Sequence, residues 1–166
     1  MDHPTADFYR SIYRLLEHET PLRFDCGRLC DAACCQDSPD LPGMYLFPGE
    51  EALFGGLEGF SVSDADLPGY GPVRLLCCEG MCERAQRPLS CRIFPLAPAV
   101  SLETMQTRPD PRGKPICPLC RQEASALSGG FTAAVGRAFA ALWAEPQCRR
   151  FLLALSRHLD EFGQPL

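Results

Sequence analysis

The sequence has no long apolar run, no excess of positive charge and very little histidine or lysine, and each shortage closes off a class of function. The longest uninterrupted apolar stretch is AFAALWA from Ala138, well short of the ~18 residues that a membrane-spanning helix requires. A membrane span is therefore not expected. Net charge is −5 and the pI about 5.2, which offers a phosphate backbone no general attraction, so nucleic acid is not expected as a partner. Of the 16 basic residues only Lys114 is lysine. The opening residues, MDHPTADFYRSIYRLLEHE, lack the basic, apolar and small-residue stretches of a secretory leader, and a cytoplasmic location is the expectation. No glycine-rich nucleotide fingerprint, internal repeat or low-complexity tract is present. The histidines are His3, His18 and His158, all outside the cysteine blocks, which leaves cysteine-based nucleophilic catalysis without a base close by in sequence.

What the chain has in abundance is cysteine, eleven in 166 residues. Two arrangements justify such a density: a disulfide framework or thiolate–metal bonding. In a reducing compartment disulfides are transient, whereas thiolates on a metal persist and contribute folding free energy directly. A metal site is therefore expected, with metal ions as the partner the chain needs. Fourteen glycines and sixteen prolines, most of them between residues 38 and 115, predict a loop-rich middle. The expected fold is a small, loop-rich α+β domain over 1–166, with amphipathic helices packed beside an irregular cysteine-rich region at 24–120 and closing helices at 128–162.

Periodicity places the regular elements. Phe8, Ile12, Leu15 and Leu16 form one stripe at helical spacing behind Pro4 and Thr5, predicting a helix over 5–19. Cys26, Cys30 and Cys34 are four apart, so a helix there would present all three on one face. Pro48-Gly49 is a turn before a short helical pattern opening at Glu50 and Glu51. A short strand is predicted at Val73–Leu76, and an extended stretch broken by Pro95 and Pro98 after Cys91. Phe131, Val135, Phe139 and Leu142, and then Phe151, Leu152, Leu155, Leu159 and Phe162 behind Pro146, predict two helices that join the first in a small bundle.

The cysteines fall into three blocks: C-x3-C-x3-C-C at Cys26, Cys30, Cys34 and Cys35; C-C-x3-C at Cys77, Cys78 and Cys82, followed by R-P-x2-C-R around Cys91; and C-x2-C at Cys117 and Cys120. Cys148 stands alone in a helix, where a small buried apolar role is expected. A zinc ion takes four such ligands and so does a cubane iron–sulfur cluster, and ten clustered thiols furnish one site or two. The x3 spacings and the vicinal Cys34-Cys35 pair tilt the reading toward a polynuclear cluster, or toward two neighbouring sites that share the pair; zinc stays open. Arg87 and Arg92 flank Cys91 and are expected to hydrogen-bond an anionic thiolate site or its loops, while Arg28, Arg84 and Arg121 are expected at the surface. Cys117-x2-Cys120 also has the spacing of a thiol–disulfide module, but no βαβ setting precedes it.

The pair of blocks FDCGRLCDAACC and CEGMCERAQRPLSCRIFPL resembles the YkgJ-type cysteine-cluster family, described as zinc- or iron-chelating domains, over roughly residues 24–120. The resemblance implies metal ligation by Cys26, Cys30, Cys34, Cys35, Cys78, Cys82, Cys91 and Cys117, with Arg87, Pro88 and Arg92 matching the R-P and C-R positions. The first block departs from the family in its x3 spacings, Glu83-Arg84-Ala85 stands where Ile-Tyr is usual, and Cys77 and Cys120 are extra. The implied role is a structural or an electron- or metal-handling one. A distant likeness to the flagellin lysine methylase implies the alternative of a cluster-dependent redox or group-transfer enzyme.

Overall fold

In the computed structural model the described residues are 3–36, 43–80, 82–101 and 104–162. The first helix, α1 (Ala6–Leu16), begins where Thr5 accepts a hydrogen bond from the Phe8 amide at 3.3 Å, a cap that contributes about 1 kcal/mol. Its buried face is Tyr9, Ile12 and Leu16, while Phe8 and Leu15 are only half-buried. Ile12 and Leu16 of the predicted stripe are thus buried, and Tyr9 takes the core position expected of Phe8. Tyr9 occupies the core position because its hydroxyl finds partners there: it donates to the Pro48 carbonyl at 2.7 Å and lies 3.4 Å from Cys148 Sγ.

Two closing helices, α3 (Gly129–Ala144) and α4 (Pro146–Phe162), carry most of the core. Phe131, Val135, Phe139 and Leu142 on α3 are buried, and Ala134 and Ala138 between them let neighbouring backbones approach. On α4 the buried face is Phe151, Leu152, Leu155 and Leu159, with Phe162 exposed beyond it. Helix α1 packs on α3, and α3 on α4, so the three helices form the expected bundle.

The middle is more regular than its glycine and proline content predicts. Strands β2 (Phe60–Leu67) and β3 (Gly71–Cys78) form an antiparallel hairpin in which Val62 faces Leu76 and Ala65 faces Val73. The predicted strand at Val73–Leu76 is only the centre of β3. Its turn residues, Pro68 to Tyr70, close the hairpin, with Gly69 in the left-handed region that glycine adopts freely. The short β1 (Met44–Tyr45) pairs with the other edge of β3, giving the order β1-β3-β2. After a five-residue helix, α2 (Leu89–Ile93), and a cis Phe94–Pro95 bond, strands β4 (Leu96–Ser101) and β5 (Thr104–Pro109) make a separate ladder. Buried Ser156 of α4 ties that ladder down by accepting from the Val100 amide at 2.9 Å, and Arg108 reaches Asp160 at 2.6 Å. The architecture is α+β with many short turns, and no helix among the described residues is long and apolar enough to cross a membrane.

Candidate metal centre

The first cysteine block does not form the continuous helix that its spacing permits. Asp25 accepts from the Gly27 amide at 3.0 Å and caps a 3₁₀ turn over Cys26–Leu29. The chain then passes through two consecutive left-handed residues, Asp31 (φ 49°) and Ala32 (φ 52°), before a second 3₁₀ turn over Ala33–Cys35. Left-handed backbone costs a non-glycine residue roughly 1–2 kcal/mol. The reversal is closed by bonds from the Ala32 amide to the Gly27 carbonyl (2.9 Å) and from the Cys35 amide to the Ala32 carbonyl (2.7 Å). The four cysteines of this block are therefore brought together by two short turns and not by one helical face.

Strand β3 delivers the second block. Side chains alternate along a strand, so Cys77 and Cys78 lie on opposite faces. Cys77 packs against Gly43, where an added Cβ would sit 2.8 Å from its sulfur, and Cys78 Sγ donates to the Gly80 carbonyl at 3.0 Å. Cys91 rides on α2. That helix starts on a buried carboxylate: Glu50 Oε1 accepts from the Leu89 amide (2.7 Å) and from the Tyr13 hydroxyl (2.5 Å), and Oε2 accepts from the Phe47 amide (2.9 Å). Burial raises the Glu50 pKa above the usual carboxylate range, against those three donors and the nearby Arg92 guanidinium.

The third block is a tight turn. Cys117 caps a 3₁₀ turn over Pro118–Arg121, and its amide donates to the Gly113 carbonyl at 2.7 Å. Gly113 is required there, since a Cβ would come within 2.3 Å of Cys120 Sγ. Cys120 is buried, and its sulfur lies 3.8 Å from the Pro95 carbonyl.

All eleven cysteines are free thiols, and their mutual electrostatics sorts eight of them into two sets. Cys26 senses Cys117 and Cys30, and Cys34 senses Cys30 and Cys26 in addition to its neighbour Cys35. Cys91 senses Cys82, Cys35 and Cys78, and Cys78 senses Cys82 and Cys35. These interactions group Cys26, Cys30, Cys34 and Cys117 as one set and Cys35, Cys78, Cys82 and Cys91 as another, with the strongest interaction, between Cys34 and Cys35, linking the two. The vicinal pair joins them, with a hydrogen bond of 4.0 Å between Cys34 Sγ and Cys35 Sγ. Cys26, Cys30, Cys34, Cys35 and Cys117 line a cavity of about 360 Å³ together with Arg87.

Each set holds one acidic thiol. A hydrogen bond from Cys34 and the Arg87 guanidinium hold Cys35 down at about 6 despite its partial burial, while the same hydrogen bond pushes Cys34 up. The Cys120 thiol, donating toward Cys117, holds that group at about 6. Burial pushes Cys91 up. Arg87 senses Cys35, Cys82 and Cys91 and donates to the Cys82 carbonyl at 3.4 Å. Arg92 braces the same loop from behind, donating to the carbonyls of Arg87 (2.8 Å) and Ala85 (2.7 Å). Arg84, expected at the surface, is half-buried instead and donates to the Leu16 and Glu19 carbonyls at the end of α1. Arg28 and Arg121 are exposed.

The donor set suits a thiophilic ion: four sulfurs in each set, with no histidine in either. As they stand, however, no group of three or more Cys, His, Asp or Glu side chains among the described residues is placed to hold a metal ion. Binding would have to draw the sulfurs of a set together. Glu50 and the pairing of Cys120 with Cys117 were not foreseen as parts of the site; Glu50 follows a Pro-Gly turn and carries no signal of burial in its own segment. Compared with known proteins, the chain matches no family model, no curated protein and no solved structure.

Proposed function

We propose that this chain is a cytoplasmic metal-binding protein that carries an iron–sulfur cluster, or zinc, on its two neighbouring four-thiol sets, in a structural or an electron- or metal-handling role. The observation that carries the reading is the division of Cys34 and Cys35 between the sets. Adjacent cysteines rarely turn toward one small ion together, and here Cys34 senses Cys30 and Cys26 of its own block, whereas Cys78 and Cys91 of the second block sense Cys35. The resemblance of the two main blocks to the YkgJ-type family supports the same conclusion. When bound, iron–sulfur or zinc centres of this kind supply electron storage or a folding cross-link. The chain's own contribution is to keep Cys35 and Cys117 acidic enough to ligate at neutral pH and to hold a guanidinium beside the second set.

Anaerobic purification followed by elemental analysis and a visible spectrum tests this. Iron with acid-labile sulfide, and broad absorption that bleaches on reduction, is the expected result. Stoichiometric zinc in a colourless sample would overturn iron while keeping the thiolate site. Protein that retains neither metal at stoichiometric level would overturn the reading as a whole.

A further inference from the structure

A second concave surface, with no cysteine in its lining, is built around Arg92. Helix α1 supplies Arg10, Tyr13 and Arg14, the two residues after it are Glu17 and His18, and the loop between Cys82 and Cys91 supplies Arg84 and Ala85; Arg92 of α2 closes a cleft of about 410 Å³. Four of the chain's fifteen arginines converge here in a protein of net charge −5.

Their charges are only partly compensated: the carboxylates of buried Glu50 and of Glu17 act on Arg92, and that of Glu19 acts on Arg84. Arg10 pairs at 2.8 Å with Asp7, an exposed residue outside the cleft. Arg84 and Arg92 are fastened by neutral carbonyls: Arg84 by Leu16 and Glu19, and Arg92 by Arg87 and Ala85 with its guanidinium 4.2 Å from the centre of the Tyr13 ring. These contacts fix the positions of the two groups and leave their charge. Arg84 Nε is buried without a partner among the described residues, and the exposed Arg14 side chain makes no hydrogen bond or ion pair among them. Glu17 is the only carboxylate in the wall.

We propose that this cleft binds a small phosphorylated molecule, its phosphate held by Arg14, Arg84 and Arg92. A phosphate monoester brings close to two negative charges and three acceptor oxygens at neutral pH, which suits several guanidiniums better than the single charge of one carboxylate, and planar guanidiniums match phosphate oxygens in pairs. The volume leaves room for an organic portion beyond the phosphate. Arg84 and Arg92 belong to the second cysteine segment, whereas Arg14 lies on α1 outside it, so Arg14 is the position that tests the cleft apart from the metal.

Isothermal titration of the full chain at constant ionic strength with inorganic phosphate, O-phosphoserine and citrate tests it. Saturable one-to-one binding of a phosphate probe is expected. Arg14→Ala should weaken it about tenfold, the loss of one charge-assisted contact, Glu17→Gln should strengthen it, and Arg137→Ala, which removes an exposed charge on α3, should leave it unchanged. Equal affinities for the two phosphate probes would identify free phosphate as the ligand, and tighter O-phosphoserine binding a monoester; either supports the site. Absence of saturation by both up to about 10 mM, equal losses in Arg14→Ala and Arg137→Ala, or tighter binding of citrate than of either phosphate would overturn it.

Discussion

The sulfurs of Cys34 and Cys35 stand 4.0 Å apart and hydrogen-bond each other, while Cys34 also senses Cys30 and Cys26, and Cys78 and Cys91 sense Cys35. If each set holds its own metal, Cys34→Ala and Cys35→Ala should each remove about one of two metal equivalents, and the double variant should remove both. Metal-to-protein ratios by elemental analysis check this. Complete loss in either single variant would mean one shared centre.

Arg87 and Arg92 differ in what they touch. Arg87 senses three thiols and reaches the Cys82 carbonyl, whereas Arg92 braces the carbonyls of Ala85 and Arg87. Replacing either with alanine should speed metal loss to a chelator more than Arg149→Ala does, since Arg149 donates to the Trp143 carbonyl on the far helices; outer partners of this kind are commonly worth 10–100-fold in affinity. Equal rates in all three variants would exclude a role for the two arginines.

Glu50 titrates in a buried site, and the sign of its effect follows from its raised pKa. A carboxyl whose folded pKa lies above its unfolded value contributes stability that is fully present below about pH 4.3 and is lost as pH rises through the folded value. Glu50→Gln cannot titrate. The stability advantage of the native chain over Glu50→Gln should therefore narrow as pH rises from about 4.3, as read by urea unfolding across a pH series; a gap that widens would show that the three donors outweigh burial. Glu50→Ala should be the more damaging change, by about 2–4 kcal/mol, because it orphans the Tyr13 hydroxyl and the amides of Phe47 and Leu89.

Cys148 is fully buried beside the Tyr9 hydroxyl and belongs to neither thiol set. Cys148→Ala should cost about 1 kcal/mol of stability, the scale of a small cavity, and leave metal content unchanged. Loss of metal in this variant at full fold would place a ligand where packing alone is expected.

Much of this protein is determined locally. The two closing helices follow from the i, i+3 and i+4 recurrence of Phe131, Val135, Phe139 and Leu142 and of Phe151, Leu152, Leu155 and Leu159, because burying one stripe is a requirement that the stripe itself displays. The three cysteine blocks and the arginines around Cys91 are equally plain. Four features lie beyond the reach of spacing, and the last three were decided only by the tertiary structure. The break at Asp31 and Ala32 depends on backbone bonds that offset a conformation neither residue prefers. The pairing of β2 with β3 overrides the prolines and glycines around it, since those residues sit in the turn and at the strand ends. The sorting of thiols arises from contacts between residues as distant in sequence as Cys26 and Cys117, and Glu50 becomes a buried cap for α2 because the fold carries the Leu89 amide to it across 39 positions. Spacing along a chain records which side chains share a helix face or a strand face; it holds no record of which distant loops a core will bring together.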